Sequence, residues 1–154
     1  MPRIFPAGLV LALCTALLLL SVNTALAQQT NAVEVWKSPH CGCCSKWVEH
    51  LTAAGFNVRV HDTDDLSTRK NKLGVPVALR SCHTAKIGNY VVEGHVPASD
   101  IKRLLRRKPA IVGLSVPGMP IGSPGMEVPS GETEPYDVIA FDQHGKTQTF
   151  AKHD

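Results

Sequence analysis

Three thiols in four residues, Cys41-Gly42-Cys43-Cys44, stand between a strand-like run and a helix-like run. Upstream, Val33-Glu34-Val35-Trp36 alternates apolar and polar side chains, the period of a half-buried strand. Downstream, Cys44, Trp47, Val48, Leu51 and Ala54 recur at the spacing of one helical face, and Gly55 ends the run. The chain must therefore turn from strand to helix across its thiols, with Cys41 and Cys44 at a helix N-terminus. There the helix dipole favours thiolate. Thiols so placed bind a soft metal, exchange disulfides, or do both.

The compartment follows from the first residues. Arg3 supplies a short positive region, Gly8 to Val22 is almost wholly apolar, and Ala25-Leu26-Ala27 has the small-x-small form of a cleavage site. Residues 1–27 read as a secretory signal peptide cut after Ala27. The apolar run is short for a membrane span. Cys14 follows Leu13, where a lipoprotein site would need a small residue, so it belongs to the signal. The expected location is the periplasm, with membrane contact only through the signal peptide before cleavage. Residues 28–154 suit one domain with one core.

Charge narrows the partners. Of 16 Lys and Arg, Arg3 leaves with the signal peptide, so 15 basic side chains face 13 acidic ones. So small an excess argues against nucleic acid. The one basic cluster, Lys102, Arg103, Arg106, Arg107 and Lys108, flanks Ile101, Leu104 and Leu105, as on a helix with cations in its last turns.

Further along, Phe56–Val60 reads as a second strand. A second helix follows, capped by Asp62 or Thr63 and stopped by Gly74. Val77–Leu79 is expected as a third strand, Tyr90-Val91-Val92 as a fourth, and Pro97–Arg107 as a helix. Residues 113–131 hold five glycines and four prolines, a composition that excludes a regular helix or a central strand. This segment displays Met119 and Met126. Tyr136–Asp142 and Lys146–Ala151 then flank His144-Gly145 as a β-hairpin. Residues 112–154 thus form a loop-and-hairpin extension.

The element order, with C-x-x-C after the first strand and an X-Pro bond before the third, resembles the thioredoxin fold in its glutaredoxin-sized form. That resemblance implies a cis Pro76 lying against the dithiol. Five strings then follow in order: Cys-Gly-Cys-Cys (41–44), Leu-Gly-Val-Pro (73–76), Ser-Cys-His-Thr (81–84), Glu-Gly-His-Val-Pro (93–97) and Val-Pro-Gly-Met-Pro-Ile-Gly-Ser-Pro-Gly-Met-Glu (116–127). Together they resemble the exported CopG-like metal-binding family, also called domain of unknown function 411. The resemblance spans nearly all of residues 28–154. It implies a periplasmic copper-binding protein, associated with copper resistance, on a thioredoxin-like scaffold.

The residues favour copper independently. Cu(I) is soft and prefers thiolate and thioether, with imidazole acceptable. Candidate metal ligands are Cys41, Cys43, Cys44, Cys82, His83, His95, Met119 and Met126. Zinc is the lesser candidate, because its structural sites usually draw on two separate C-x-x-C knuckles and here there is one crowded cluster. Two structural disulfides are the plain alternative for an exported chain. Against them, a Cys41–Cys44 bridge closes so small a loop that it adds little by chain entropy. His40, next to the cluster, can lower a neighbouring thiol pKa without ligating.

Three functions compete. The first is a copper-binding protein, without enzymatic turnover or with redox coupling between copper and thiols, whose partners are copper ions and other periplasmic copper-handling proteins. The second is a thiol–disulfide oxidoreductase with Cys41 and Cys44 as its catalytic pair. The third is a disulfide-stabilised module that binds a partner through its Gly/Pro loop. Cys43 separates the first two, since a two-thiol oxidoreductase has no use for a third thiol between them.

Overall fold

The computed structural model describes residues 31–154, so the expected signal peptide lies outside the described residues. Strand β1 (Ala32–Lys37) turns Val33, Val35 and Lys37 inwards and leaves the alternate residues partly exposed. Helix α1 (Gly42–Ala53) starts inside the thiol cluster, with Cys41 as its N-cap, and buries Cys44, Trp47 and Leu51. Strand β2 (Asn57–Asp62) runs parallel to β1 at the sheet edge. Helix α2 (Leu66–Lys72) is capped by Asp65, whose carboxylate accepts the Thr68 N–H at 3.0 Å. The cap is thus Asp65 rather than Asp62 or Thr63. Strands β3 (His83–Ile87) and β4 (Tyr90–Glu93) form a hairpin, and helix α3 (Ala98–Arg107) follows directly. Strands β5 (Gly113–Ser115), β6 (Tyr136–Phe141) and β7 (Thr147–His153) complete the described elements.

The strands join in one seven-stranded sheet ordered β2-β1-β3-β4-β5-β6-β7. β1 and β2 are parallel, while β3 is antiparallel to both β1 and β4. This mixed α/β arrangement, with the thiols between β1 and α1, agrees with the expected fold class. Trp47, Leu51, Ile101 and Leu104 from the helices meet Val33, Val35, Ala85, Ile87, Val92 and Leu114 from the sheet. Full burial of a side chain of this kind stabilises by about 1.5–3 kcal/mol. Among the described residues no helix is long and apolar enough to cross a membrane.

Three expectations need correction. Val77–Leu79 is a single 3-10 turn, closed by Leu79 N–H to the Pro76 carbonyl and Arg80 N–H to that of Val77. Val77 is 77% exposed while Leu79 is buried, so the two do not share one inward face as alternate residues of a strand would. The third strand is His83–Ile87 instead. Second, the described peptide bonds are all trans, Pro76 included. Third, the Gly/Pro-rich stretch does supply an interior strand, since β5 pairs with β4 on one side and β6 on the other. Gly113 makes this possible. A Cβ there would collide with the Val91 carbonyl of the neighbouring strand.

Candidate metal centre

The turn from β1 into α1 sets the first part of the site. Ser38 accepts the Cys41 N–H at 3.1 Å, and no acidic residue occupies the first turn of α1. The positive end of the helix therefore faces the sulfurs without a carboxylate to offset it. Cys41 and Cys44 are joined in a disulfide with a Cα separation of 5.3 Å. Cys43 and Cys82 are free thiols. Cys43 directs its S–H at Cys41 Sγ, 3.4 Å away.

The second part comes from β3 and the residues after β4. Cys82 ends the segment leading into β3, and its sulfur joins those of Cys41, Cys43 and Cys44 within a span of 4.8 Å. The same Cys82 sulfur lies 3.3 Å from His83 Nδ1 and 3.1 Å from His95 Nε2. Cys82, His83 and His95 form a second close group of donors, so Cys82 is common to both groups. The 3-10 turn after Pro76 keeps the path to Cys82 short, so that Cys82 reaches α1. Strand β4 pairs antiparallel with Thr84–Ile87. Gly94, with φ of +69°, then turns His95 back towards Cys82.

The electrostatics suit the two histidines to metal ligation. Burial, then the neighbouring His95 and Lys70, holds the His83 pKa well below its usual value. Burial also lowers His95. Both imidazoles are therefore neutral at pH 7, the form that ligates metal. His95 Nδ1 donates to the Pro124 carbonyl at 2.8 Å, which leaves Nε2 bearing the lone pair that faces Cys82. Such an outer hydrogen bond sets tautomer and ring orientation in metal sites. Burial, followed by the charge of Cys43, pushes the Cys82 thiol up to about 12. A cation that replaces the proton relieves that penalty, because metal ligation takes the thiolate.

His83 tests whether the residues fit a metal. The ring is fully buried, packed at 4.3 Å between centroids against Trp47, and its Nε2 has no hydrogen-bond partner. A neutral imidazole has one N–H and one lone pair, so whichever tautomer forms, one buried nitrogen of His83 is left unsatisfied by a conventional partner. Buried polar atoms of this kind are rare and call for a reason. A soft metal bound among Cys82, His83 and His95 would meet His83 through Nδ1, the nitrogen 3.3 Å from Cys82 Sγ, and would leave Nε2 unpaired; the fit rests instead on the sulfur-rich donor set.

The Gly/Pro loop is laid across this cluster. Ser81 Oγ donates to the Gly118 carbonyl, Pro124 holds His95, and Gly125 packs on the α1 backbone at Cys43 and Trp47. The loop thereby brings the residues adjoining Met119 and Met126 to the site. Met119 is 51% exposed, and Met126 is half-buried. His40 is exposed and lies outside both donor groups. His50 accepts the Ala98 N–H at 3.1 Å and caps α3. Trp47 is core beneath the cluster, with its indole N–H on the Val96 carbonyl at 2.9 Å.

The chain is similar to a known family and to solved structures. The family described as "Protein of unknown function, DUF411" matches residues 79–126. That stretch contains Cys82, His83, His95 and the Gly/Pro loop. No curated protein matches the chain. Two solved structures are similar, "Copper resistance protein copG" in Form 1 and Form 2. Both are 44% identical to this chain, with TM-scores of 0.75 and 0.76. The matches cover 79% and 80% of this chain and 96% and 98% of theirs.

Proposed function

Because the chain belongs to the CopG-like DUF411 family, we propose that it is a periplasmic copper-binding protein. It holds Cu(I) on a thiolate cluster whose capacity is set by the Cys41–Cys44 disulfide. The observation that carries this reading is the shared position of Cys82, one sulfur within reach of three other sulfurs and two neutral imidazoles. A thiolate so placed can serve more than one metal ion. Cys41, Cys43, Cys44 and Cys82 are the sulfur ligands, with His83 and His95 on the other side of Cys82. Met119 and Met126 complete the proposed ligand set from the loop.

The disulfide makes binding redox-dependent. In the oxidised chain Cys41 and Cys44 offer no thiolate. Two electrons and two protons from a dithiol reductant convert the bridge to two thiols, and metal binding then displaces their protons. Four sulfurs become available where two were. The copper resistance of the CopG structures supports copper as the metal, and the soft donor set supports Cu(I). Export by the segment 1–27 accounts for a compartment in which this disulfide can form.

A competition titration with a Cu(I)-selective chelator tests the reading on residues 28–154. Reduced protein is expected to bind more than one Cu(I) per chain, and more tightly than zinc. Air-oxidised protein binds fewer. Micromolar or weaker binding by the reduced protein refutes the proposal.

The disulfide at a helix N-terminus also fits a thiol–disulfide oxidoreductase. Cys43→Ser separates the two. The copper reading expects a sharp loss of stoichiometry with the fold intact, and negligible insulin reduction by the wild type. Normal copper binding by the variant, with vigorous insulin reduction by both proteins, establishes the oxidoreductase instead.

A further inference from the structure

Lys70 on α2 and Glu93 at the end of β4 make a buried ion pair, their side chains 5% and 0% exposed. Nothing in the ligand set accounts for it. Replacement of such a pair by well-packed apolar residues is often neutral or stabilising, because desolvation offsets the attraction. Here the pair has a specific target. Glu93 Oε1 accepts the Ser81 N–H at 2.7 Å, and Lys70 Nζ donates to the Ser81 carbonyl at 3.1 Å. Both backbone polar groups of Ser81 are thus held by opposite ends of one ion pair.

Ser81 immediately precedes Cys82, and no regular element fixes it: the 3-10 turn ends at Leu79 and β3 begins at His83. Two further contacts converge on it. Its hydroxyl donates to the Gly118 carbonyl of the loop. A Cβ on Gly94 would lie 2.7 Å from its own Cβ, so Gly94 leaves room for it. Glu93 and Gly94 directly precede His95. The pair therefore sits where the strands bearing Cys82 and His95 meet.

We propose that Lys70 and Glu93 are positioning residues of the metal centre, an ionic clamp on the Ser81 peptide that fixes Cys82 Sγ between the other sulfurs and the two imidazoles. The clamp works in the metal-free protein, so the donors are arranged before the ion arrives. Outer groups that orient ligands commonly change metal affinity about 10–100-fold. Lys70 and Glu93 touch no metal themselves. This inference rests on the metal-binding reading of the cluster for its purpose, but the clamp can be measured without metal.

The test uses residues 28–154 with the disulfide intact. In the wild type, hydrogen exchange is expected to show a protected Ser81 amide, because its acceptor is a buried carboxylate. Exchange at the rate of an exposed amide overturns the clamp outright. The variant K70M/E93L removes both charges at similar volume. Without the clamp, iodoacetamide alkylation of metal-free Cys82 is expected to rise, and Cu(I) affinity of the reduced protein to fall, each by about tenfold or more. The melting temperature should stay near that of the wild type. K70M/E93Q keeps an acceptor for the Ser81 N–H and should recover part of both effects, which a simple packing role would not produce. Alkylation and affinity both within about twofold of wild type in K70M/E93L overturn the proposal. Should K70M/E93L fail to fold, K70M/E93Q and the wild-type exchange rate decide by the same criteria. Loss of copper binding in the wild type with the alkylation effect intact refutes the copper reading and leaves the clamp standing.

Discussion

Gly125→Ala asks whether the Gly/Pro loop is built into the metal centre or only lies near it. Gly125 has a φ of +88°, and an added Cβ would sit 2.7 Å from the Cys43 carbonyl oxygen and 2.8 Å from the Trp47 nitrogen. The left-handed backbone alone costs an alanine about 1–2 kcal/mol. The two close atoms belong to the α1 backbone and cannot rotate aside. Relief comes only if the loop lifts, which lengthens the 2.8 Å bond from His95 Nδ1 to the Pro124 carbonyl. Loss of that bond with a buried group left unpaired adds about 1–3 kcal/mol, for a total of about 2–5 kcal/mol. Gly118 is the control. Its φ is +73°, but nothing lies within 4 Å of its added Cβ. Gly118→Ala should therefore show the conformational cost alone. A domain of this size loses about 3–5 °C in Tm per kcal/mol, so Gly125→Ala should melt at least about 3 °C below Gly118→Ala. Thermal denaturation followed by circular dichroism on metal-free protein measures both. Equal Tm values for the two variants would refute the close packing of the loop on α1.

Other outcomes follow from burial and charge. At pH 8 iodoacetamide should label Cys43 well ahead of Cys82, whose thiol is pushed up to about 12, and peptide mass spectrometry reads the ratio; equal labelling contradicts the desolvated site. Trp47→Phe removes the donor to the buried Val96 carbonyl and should destabilise by about 1–3 kcal/mol in urea denaturation, with m unchanged. Metal-free protein should lose stability as pH falls below about 6.5, because His50, His83 and His95 have lowered folded pKa values and the unfolded chain binds more protons there. Each such histidine contributes up to about 1.4 kcal/mol per pH unit at full effect. Glu93, with a raised folded pKa, acts in the opposite sense from its ordinary value near 4.5 upward, one group against three. A Tm that does not change between pH 7 and pH 5 would contradict neutral buried histidines.

The thiol cluster at a strand-to-helix turn was legible from the chain alone. Alternation in Val33–Trp36 and the 3.6-residue period of Cys44, Trp47 and Leu51 are local signals, and local signals survive in one dimension. Soft-metal chemistry was legible for the same reason, since three thiols in four residues need no partner to declare their preference. The hairpin at the C-terminus announced itself through His144-Gly145. Where the local signal was ambiguous, the reading failed. Val77–Leu79 has strand composition, yet Val77 lies exposed after a proline and the segment closes as a 3-10 turn. Gly113 looked like a strand breaker, although a glycine is what the close approach of the Val91 carbonyl demands.

Only the tertiary structure decided that Cys82, His83 and His95 meet Cys41–Cys44. Residues about forty positions apart are brought together by strand register: Thr84 opposite Glu93 and Trp36 opposite Thr84. Register is a property of paired strands and cannot be read from either strand separately. The Lys70–Glu93 clamp was likewise invisible, because a lysine on a charged helix reads as solvated until the fold buries it. The sequence alone determined which atoms could do chemistry, since that is a property of each side chain. Which of them share a space was settled by long-range pairing, which brings Cys82 into line with two sets of donors.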